Sequence, residues 1–160
     1  MNHIKLLRVT RNLTQLQLQM KTGIDKGVLS KYETGEYIPT PPNLIILADF
    51  YKTSLDYLMD RTDVREPYPP MPENSPDDTK YINHIKLLRV TRDWTQLQLQ
   101  MRINIDNGVL SKYETGHAIP TTPNLILFAN FYKTSLDYLM DRTDVREPHP
   151  PMSKKSPDDY

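Results

Sequence analysis

The residues of this chain best suited to chemistry are cations and amides, not nucleophiles. Lys5, Arg8, Arg11, Lys21, Lys26 and Lys31 all precede Glu33, with Asp25 the only acid among them. A patch of that kind meets phosphates, although the same charges suit an ordinary solvated surface. Catalytic patterns are missing. His3, His84, His117 and His149 show no metal-ligand spacing. Ser30 and Ser111 have no histidine near them in sequence, and the acids are scattered as helix caps and surface partners. With no cysteine, disulfides and thiolate chemistry are excluded. An enzyme is therefore not expected, and neither a cofactor nor a metal is called for.

What positions these residues is a repeated unit. The stretch Thr14–Gly35, TQLQLQMKTGIDKGVLSKYETG, returns at Thr95–Gly116 as TQLQLQMRINIDNGVLSKYETG. Residues 2–71 align with 83–152 at a constant offset of 81, and 13 of the 70 pairs differ. So long a match at one offset means two copies of one folding unit. Met1 falls opposite Ile82, as if a whole small protein had been duplicated and fused head to tail. A laboratory fusion would leave a similar trace, but the differences between the copies favour natural duplication.

The net charge of zero hides an asymmetry. Residues 1–62 carry 8 Lys/Arg against 6 Asp/Glu and residues 82–143 carry 7 against 5, whereas 63–81 carry 2 against 5 and 144–160 carry 3 against 4. Two slightly basic domains, 1–62 and 82–143, are thus expected, followed by an acidic linker (63–81) and tail (144–160). Both connectors are rich in proline and read as partly polyproline spacers. No apolar run approaches the roughly 20 residues that span a bilayer, and no signal-peptide pattern opens the chain. A soluble, cytoplasmic protein without membrane contact is expected.

Each copy reads as five helices. Asn2 caps the first, which carries Ile4 and Leu7. Thr14 with Gln17 is a capping box that opens the second. The strict alternation of QLQLQM suggests a strand when taken alone. Leu, Gln and Met are good helix formers, however, and no β-branched residue interrupts Gln15–Lys21. Leu18 is expected to point inward, leaving Leu16 or Met20, or both, partly exposed. Gly23 suits a turn, and Asp25 caps a third helix that runs to about Thr34 and stops at Gly35. Gly27 inside that helix costs roughly 1 kcal/mol against Ala, so either something approaches the backbone closely there or neighbours hold the helix. A fourth helix, Pro42–Lys52, follows the cap Thr40 and Pro41. Ser54 caps a fifth, Leu55–Arg61, with Asp56 near its positive end.

Leu13-Thr14-Gln15, Leu18, Gly23-Ile24-Asp25, Leu29-Ser30-Lys31, Glu33-Thr34-Gly35, Pro39-Thr40 and Ser54-Leu55-Asp56-Tyr57-Leu58 together resemble the Cro/cI-type (xenobiotic-response-element, XRE) helix-turn-helix family. The resemblance covers nearly all of 2–62 and again 83–143. It implies an all-α fold of two five-helix, lambda-repressor-like domains joined by the Pro-rich linker. It also implies a regulator, read as a repressor, that binds a double-stranded DNA operator. Lys26, Gly27 and Lys31 match recognition-helix positions that face base edges, and Gln15 matches a phosphate-gripping position. Asn107, Gly108, Lys112 and Gln96 are their counterparts. Arg8 with Glu33, and Arg89 with Glu114, match a structural salt bridge between first and third helices. Two departures stand out. Gln19 occupies a position usually held by Ala, which puts close packing of the second and third helices in question. Asn104 replaces the turn glycine, a substitution that positive φ tolerates.

A helix fits the major groove and presents side chains near its N-terminal end to base edges. Lys21 and Arg102 would add phosphate contacts that fix register without reading sequence. Lys donates to guanine acceptors, whereas Asn pairs with adenine. Lys26 against Asn107 thus predicts unlike base preferences in the two copies. The second copy, with Asp93 for Asn12 and Asn107 for Lys26, is expected to bind less tightly. A linker of about 18 residues at about 3.1 Å each reaches some 55 Å, against half-sites about 34 Å apart, so one chain can act as a pseudo-dimer. Self-association through the fourth and fifth helices is a further expectation. The rival reading is a protein-interaction module, such as an antitoxin or a scaffold, with weak or lost DNA binding.

Overall fold

The computed structural model describes residues 2–71 and 84–153. Residues 72–83, which contain most of the expected linker, and 154–160 of the tail lie outside that description. The described residues are helical, with no strand among them. The first copy forms α1 (His3–Thr10), α2 (Gln15–Thr22), α3 (Lys26–Thr34), α4 (Pro41–Tyr51) and α5 (Leu55–Leu58). The second forms α6 (His84–Val90), α7 (Gln96–Ile103), α8 (Asn107–Glu114), α9 (Thr122–Tyr132) and α10 (Leu136–Leu139).

The local signals act where the side chains place them. Asn2 Oδ1 accepts from Lys5 N–H at the head of α1. Thr14 and Gln17 exchange both hydrogen bonds of a capping box, at 3.1 and 2.8 Å. This fixes α2 as a helix in spite of its alternating pattern. Side chains two apart on a helix point about 200° from each other, so Leu18 faces away from Leu16 and Met20, which share the other face, and it is the Leu18 face that turns to the core. Leu18 is fully buried, whereas Leu16 is 55% and Met20 79% exposed. The turn into α3 uses Gly23 at φ +74°. Asn104 takes the same left-handed position at φ +55°.

The core of the first domain gathers Ile4 and Leu7 from α1, Leu18, Leu29 and Tyr32 from α2 and α3, Leu44, Leu47 and Tyr51 from α4, and Leu55 and Leu58 from α5. At the head of α4 Thr40 makes no side-chain cap. Pro41 and Pro42 there have no N–H to satisfy, so the cap bond has less to do. The fifth helix is shorter than its sequence suggests. It ends at Leu58, Asp60 turns to φ +54°, and Arg61 folds back to bond the buried Asp56 carboxylate at 2.7 Å. The chain beyond it is held too. Thr53 Oγ1 donates to the Arg65 carbonyl at 2.6 Å, and Thr134 Oγ1 to Arg146 at 2.8 Å.

The described residues fall into two compact units, one within Met1–Pro67 and His149–Tyr160, the other within Tyr68–Pro148. In the first unit the tail residues are engaged rather than free spacer. Met152 N–H donates to the Arg61 carbonyl at 3.3 Å and Ser153 N–H to Asp63 Oδ2 at 2.7 Å. Thr62 Oγ1 donates to the Pro150 carbonyl, and Thr62 and Pro151 form an isolated antiparallel bridge. Nothing in the proline-rich composition of the tail signals these bonds.

Candidate nucleic-acid interface

The candidate interface is the face of α2 and α3 that the core leaves open, and its counterpart on α7 and α8. Three helices are pinned behind it. Arg8 on α1 makes a two-pronged contact with Glu33 on α3, Nε to Oε1 at 2.6 Å and Nη2 to Oε2 at 2.8 Å. Its Nη1 donates to the Leu13 carbonyl at 2.6 Å. The side chains of Arg8 and Glu33 are 13% and 3% exposed. Gln15 at the start of α2 joins them, donating Nε2 to Glu33 Oε2 at 3.0 Å. Burial works to raise the Glu33 carboxyl, but the hydrogen bonds from Arg8 and Gln15 outweigh it and hold it below the usual range. The hydrogen bond to Glu33 pushes the Arg8 guanidinium up. Arg89, Glu114 and Gln96 repeat the arrangement, with Arg89 to Glu114 at 2.6 and 2.8 Å and Gln96 to Glu114 at 2.9 Å.

The head of α3 is closed from within. Gln19 Oε1 accepts from Lys26 N–H at 2.8 Å, and Asp25 Oδ1 accepts from Gly27 and Val28 N–H at 2.7 and 3.3 Å. Gln19 therefore does not loosen α2 from α3; it ties them. Gln100 does the same for Asn107 at 3.1 Å. The first backbone donors of α3 are thus occupied, and a contact to DNA at this end must come from side chains. Gly27 gains its reason here. A Cβ on Gly27 would lie 3.0 Å from Asp25 Oδ1, and one on Gly108 would lie 3.1 Å from Asp106 Oδ1. The glycines make room for the capping carboxylate of their own helix.

Of the six cations in the first patch, three have internal partners. Arg8 is buried with Glu33. Arg11 donates to the carbonyls of Phe50 and Tyr51, both at 3.0 Å, and lies over the Tyr51 ring at 4.9 Å, where it serves the end of α4. Lys31 lies 3.1 Å from Tyr37 Oη, 4.2 Å from the centre of that ring and 3.5 Å from Glu36 Oε1. Lys5, Lys21 and Lys26 are exposed. Lys5 acts through its charge on the Glu33 carboxylate, and no side-chain partner is found for Lys21 and Lys26 among the described residues. The patch readable in sequence is therefore smaller in space, and Lys26 is its projecting member on α3. Gln15 can still serve two partners, because its amide carries a second N–H beyond the one given to Glu33.

The second copy differs in detail. Asn107 and Lys112 are exposed on α8. Arg102 donates to the Gln98 carbonyl at 2.8 Å and stacks over Trp94 at 4.4 Å. Trp94 is a residue the site reading missed. Its signal was the paired change of Leu13 to Trp94 and Lys21 to Arg102. Tyr37 and Glu36 were missed as well, because they lie past the helix end, where helical spacing gives no direction.

Among the described residues no group of three His, Cys, Asp or Glu could hold a metal, and no helix is long and apolar enough to cross a membrane. Comparison with known proteins adds the following. A family model described as helix-turn-helix matches residues 4–58 and again 85–139. The HTH-type transcriptional regulator ImmR of Bacillus subtilis (strain 168) is 34% identical over 61 residues, 38% of this chain and 48% of that protein. The uncharacterized HTH-type transcriptional regulator YobD of the same organism is 38% identical over 64 residues, 40% of this chain and 57% of its own length. The matched segment thus spans about half the length of these curated relatives. No solved structure matches the chain significantly.

Proposed function

Because this chain belongs to the helix-turn-helix family of the XRE type, carried twice in tandem, we propose that it is a sequence-specific double-stranded DNA-binding regulator, acting as a repressor. Domains 1–62 and 82–143 are the two readers. α3 and α8 enter the major groove with Lys26, and with Asn107 and Lys112, toward base edges. Gly27 and Gly108 have given their N–H groups to Asp25 and Asp106, and Lys31 lies against Tyr37 and Glu36. Gln15, Lys21, Gln96 and Arg102 take the phosphates on either side. The observation that carries this reading is the exposed Lys26/Asn107 position beside a helix head whose backbone donors are already bonded. Side chains alone are then left to read. Holding both readers on one chain raises the effective concentration of the second into roughly the millimolar range, so one chain can serve as a pseudo-dimer. Self-association through the α4–α5 region has a candidate surface in the half-exposed Ile46 and Leu127. A cytoplasmic setting accords with such a regulator.

The second reading is a protein-interaction module, an antitoxin or scaffold. It draws on Leu16, Met20, Leu97 and Met101, four apolar side chains exposed on α2 and α7. The acidic Asp25 and Asp106 do not add to it, since both are helix caps. Fluorescence anisotropy of a labelled duplex across a salt series separates the two readings. DNA binding should weaken steeply, with log K falling by about 0.9 per phosphate neutralised for each tenfold rise in salt. Absence of binding at low salt would leave the interaction module.

A further inference from the structure

We propose that the two residues just beyond each recognition helix decide which domain presents its recognition-helix lysine to DNA: Glu36 and Tyr37 withhold Lys31, whereas His117 and Ala118 leave Lys112 available. The inference rests on the DNA-binding reading above and deepens it. The two lysines occupy the same place on nearly identical helices, so their difference comes from those neighbours. Lys31 Nζ is bonded to Tyr37 Oη at 3.1 Å, lies 4.2 Å from the ring centre and pairs with Glu36 at 3.5 Å. Lys31 is half-buried, while Lys112 is exposed with no side-chain partner among the described residues. At the matching positions Ala118 has neither ring nor hydroxyl, and His117 turns its Nδ1 to Thr115 Oγ1 at 2.7 Å.

The physics is local. To reach a phosphate or a guanine edge, Lys31 must leave a ring face, a phenol oxygen and a carboxylate together. Each is a weak partner at an exposed site, but all three act on one ammonium. Glu36 also repels the phosphate that Lys31 would approach. Lys112 leaves no such contacts. The expectation that the second domain is the weaker reader, drawn from Asp93 and Asn107 alone, leaves out this compensation. The first domain reads through Lys26 at the head of α3, and the second through Asn107 at the head of α8 with Lys112 added further along it.

Exchange of the two pairs tests this in the full chain, and each pair already occurs on this fold. The probe is a labelled pool of 30-base-pair duplexes with random sequence, read by anisotropy across a potassium chloride series. In the unaltered chain Lys31→Ala should change affinity less than twofold and Lys112→Ala about fivefold or more. With Glu36→His and Tyr37→Ala together, Lys31→Ala should become costly by a similar factor, and the salt slope should steepen by about 0.9. With His117→Glu and Ala118→Tyr, Lys112→Ala should become nearly silent. Equal losses from both lysines, whatever stands beyond the helix, would overturn the proposal. A DNA-free readout separates its failure from that of the DNA reading. In chains with 13C-methylated lysines, the Lys31 methyl resonance should shift on Tyr37→Ala, and no shift would show that the clasp itself is absent. If the shift is seen and the unaltered chain binds no duplex, the DNA reading falls and takes the proposed role of the clasp with it.

Discussion

The two domains are nearly one sequence written twice, and the places where they part are informative. The capping box, the Arg8–Glu33–Gln15 cluster and the Gln19 tie recur with nearly the same distances at Arg89, Glu114, Gln96 and Gln100. Much of the divergence instead borders the candidate interface: the loop before the second helix (Leu13 to Trp94), the turn (Gly23 to Asn104), the head of the third helix (Lys26 to Asn107) and the stretch just beyond it (Glu36 and Tyr37 to His117 and Ala118). A constant frame with altered contact positions is what two readers of unlike half-sites require. Core changes are few and conservative. Leu47 becomes Phe128, which lies parallel to Tyr132 with centroids 6.4 Å apart and meets Tyr113 edge-on.

The largest effect expected is on the shared frame. Arg8→Ala leaves the buried Glu33 carboxylate without its guanidinium and should destabilise the first domain by about 3–5 kcal/mol. Urea unfolding followed by amide resonances of each domain checks it; a loss confined to the second domain would break the comparison. Acid should act on the same cluster. The Glu33 carboxyl is held below its usual range, so its contribution is present above the unfolded value near pH 4.5 and is lost as pH falls through the folded value. Urea midpoints measured from pH 6 down to pH 2 should show this part of the loss disappear in Glu33→Gln.

Next in size is Lys26→Asn, which makes the first reader resemble the second at that position. It should cost about 1–3 kcal/mol on a site selected by the unaltered chain, read by anisotropy at fixed salt. Asp25→Ala removes the cap that holds Gly27 and Val28 N–H and should cost about 1 kcal/mol in first-domain stability. Smallest is Asn104→Gly. It relieves a non-glycine left-handed residue and should stabilise the second domain by up to about 1 kcal/mol, while the reverse change, Gly23→Asn, should weaken the first by a similar amount. Unequal magnitudes would show that the two turns are not equivalent.

Much of this was legible from residue order. The caps at Asn2, Thr14, Asp25 and Ser54 mark their helices because each offers a short oxygen to an unpaired N–H. Leu18 could be set apart from Leu16 and Met20 once α2 was taken as a helix, since about 100° per residue puts it on the opposite face from that i, i+4 pair, but the choice of inward face comes from packing rather than from the period. The end of α5 was overestimated because Arg61 looks helical by propensity, yet its bond to Asp56 draws it back across the chain. Gln19 was misjudged for a related reason. Its length suggested a steric problem, and only the turn geometry shows that the length lets it reach Lys26 N–H. Tyr37 and Trp94 lie in loops, where side-chain direction follows no period. The engagement of His149–Ser153 with residues 61–66 joins positions more than 80 apart in sequence, and no local pattern encodes it.

The most direct test of the central claim is selection of binding sites by the intact chain from a pool of random duplexes. Two half-sites should be enriched, differing at the base pair faced by Lys26 in one and Asn107 in the other, with guanine favoured by the first and adenine by the second. Selection with Lys26→Asn should make the halves alike at that position. No enrichment, or two identical half-sites from the unaltered chain, would contradict the account.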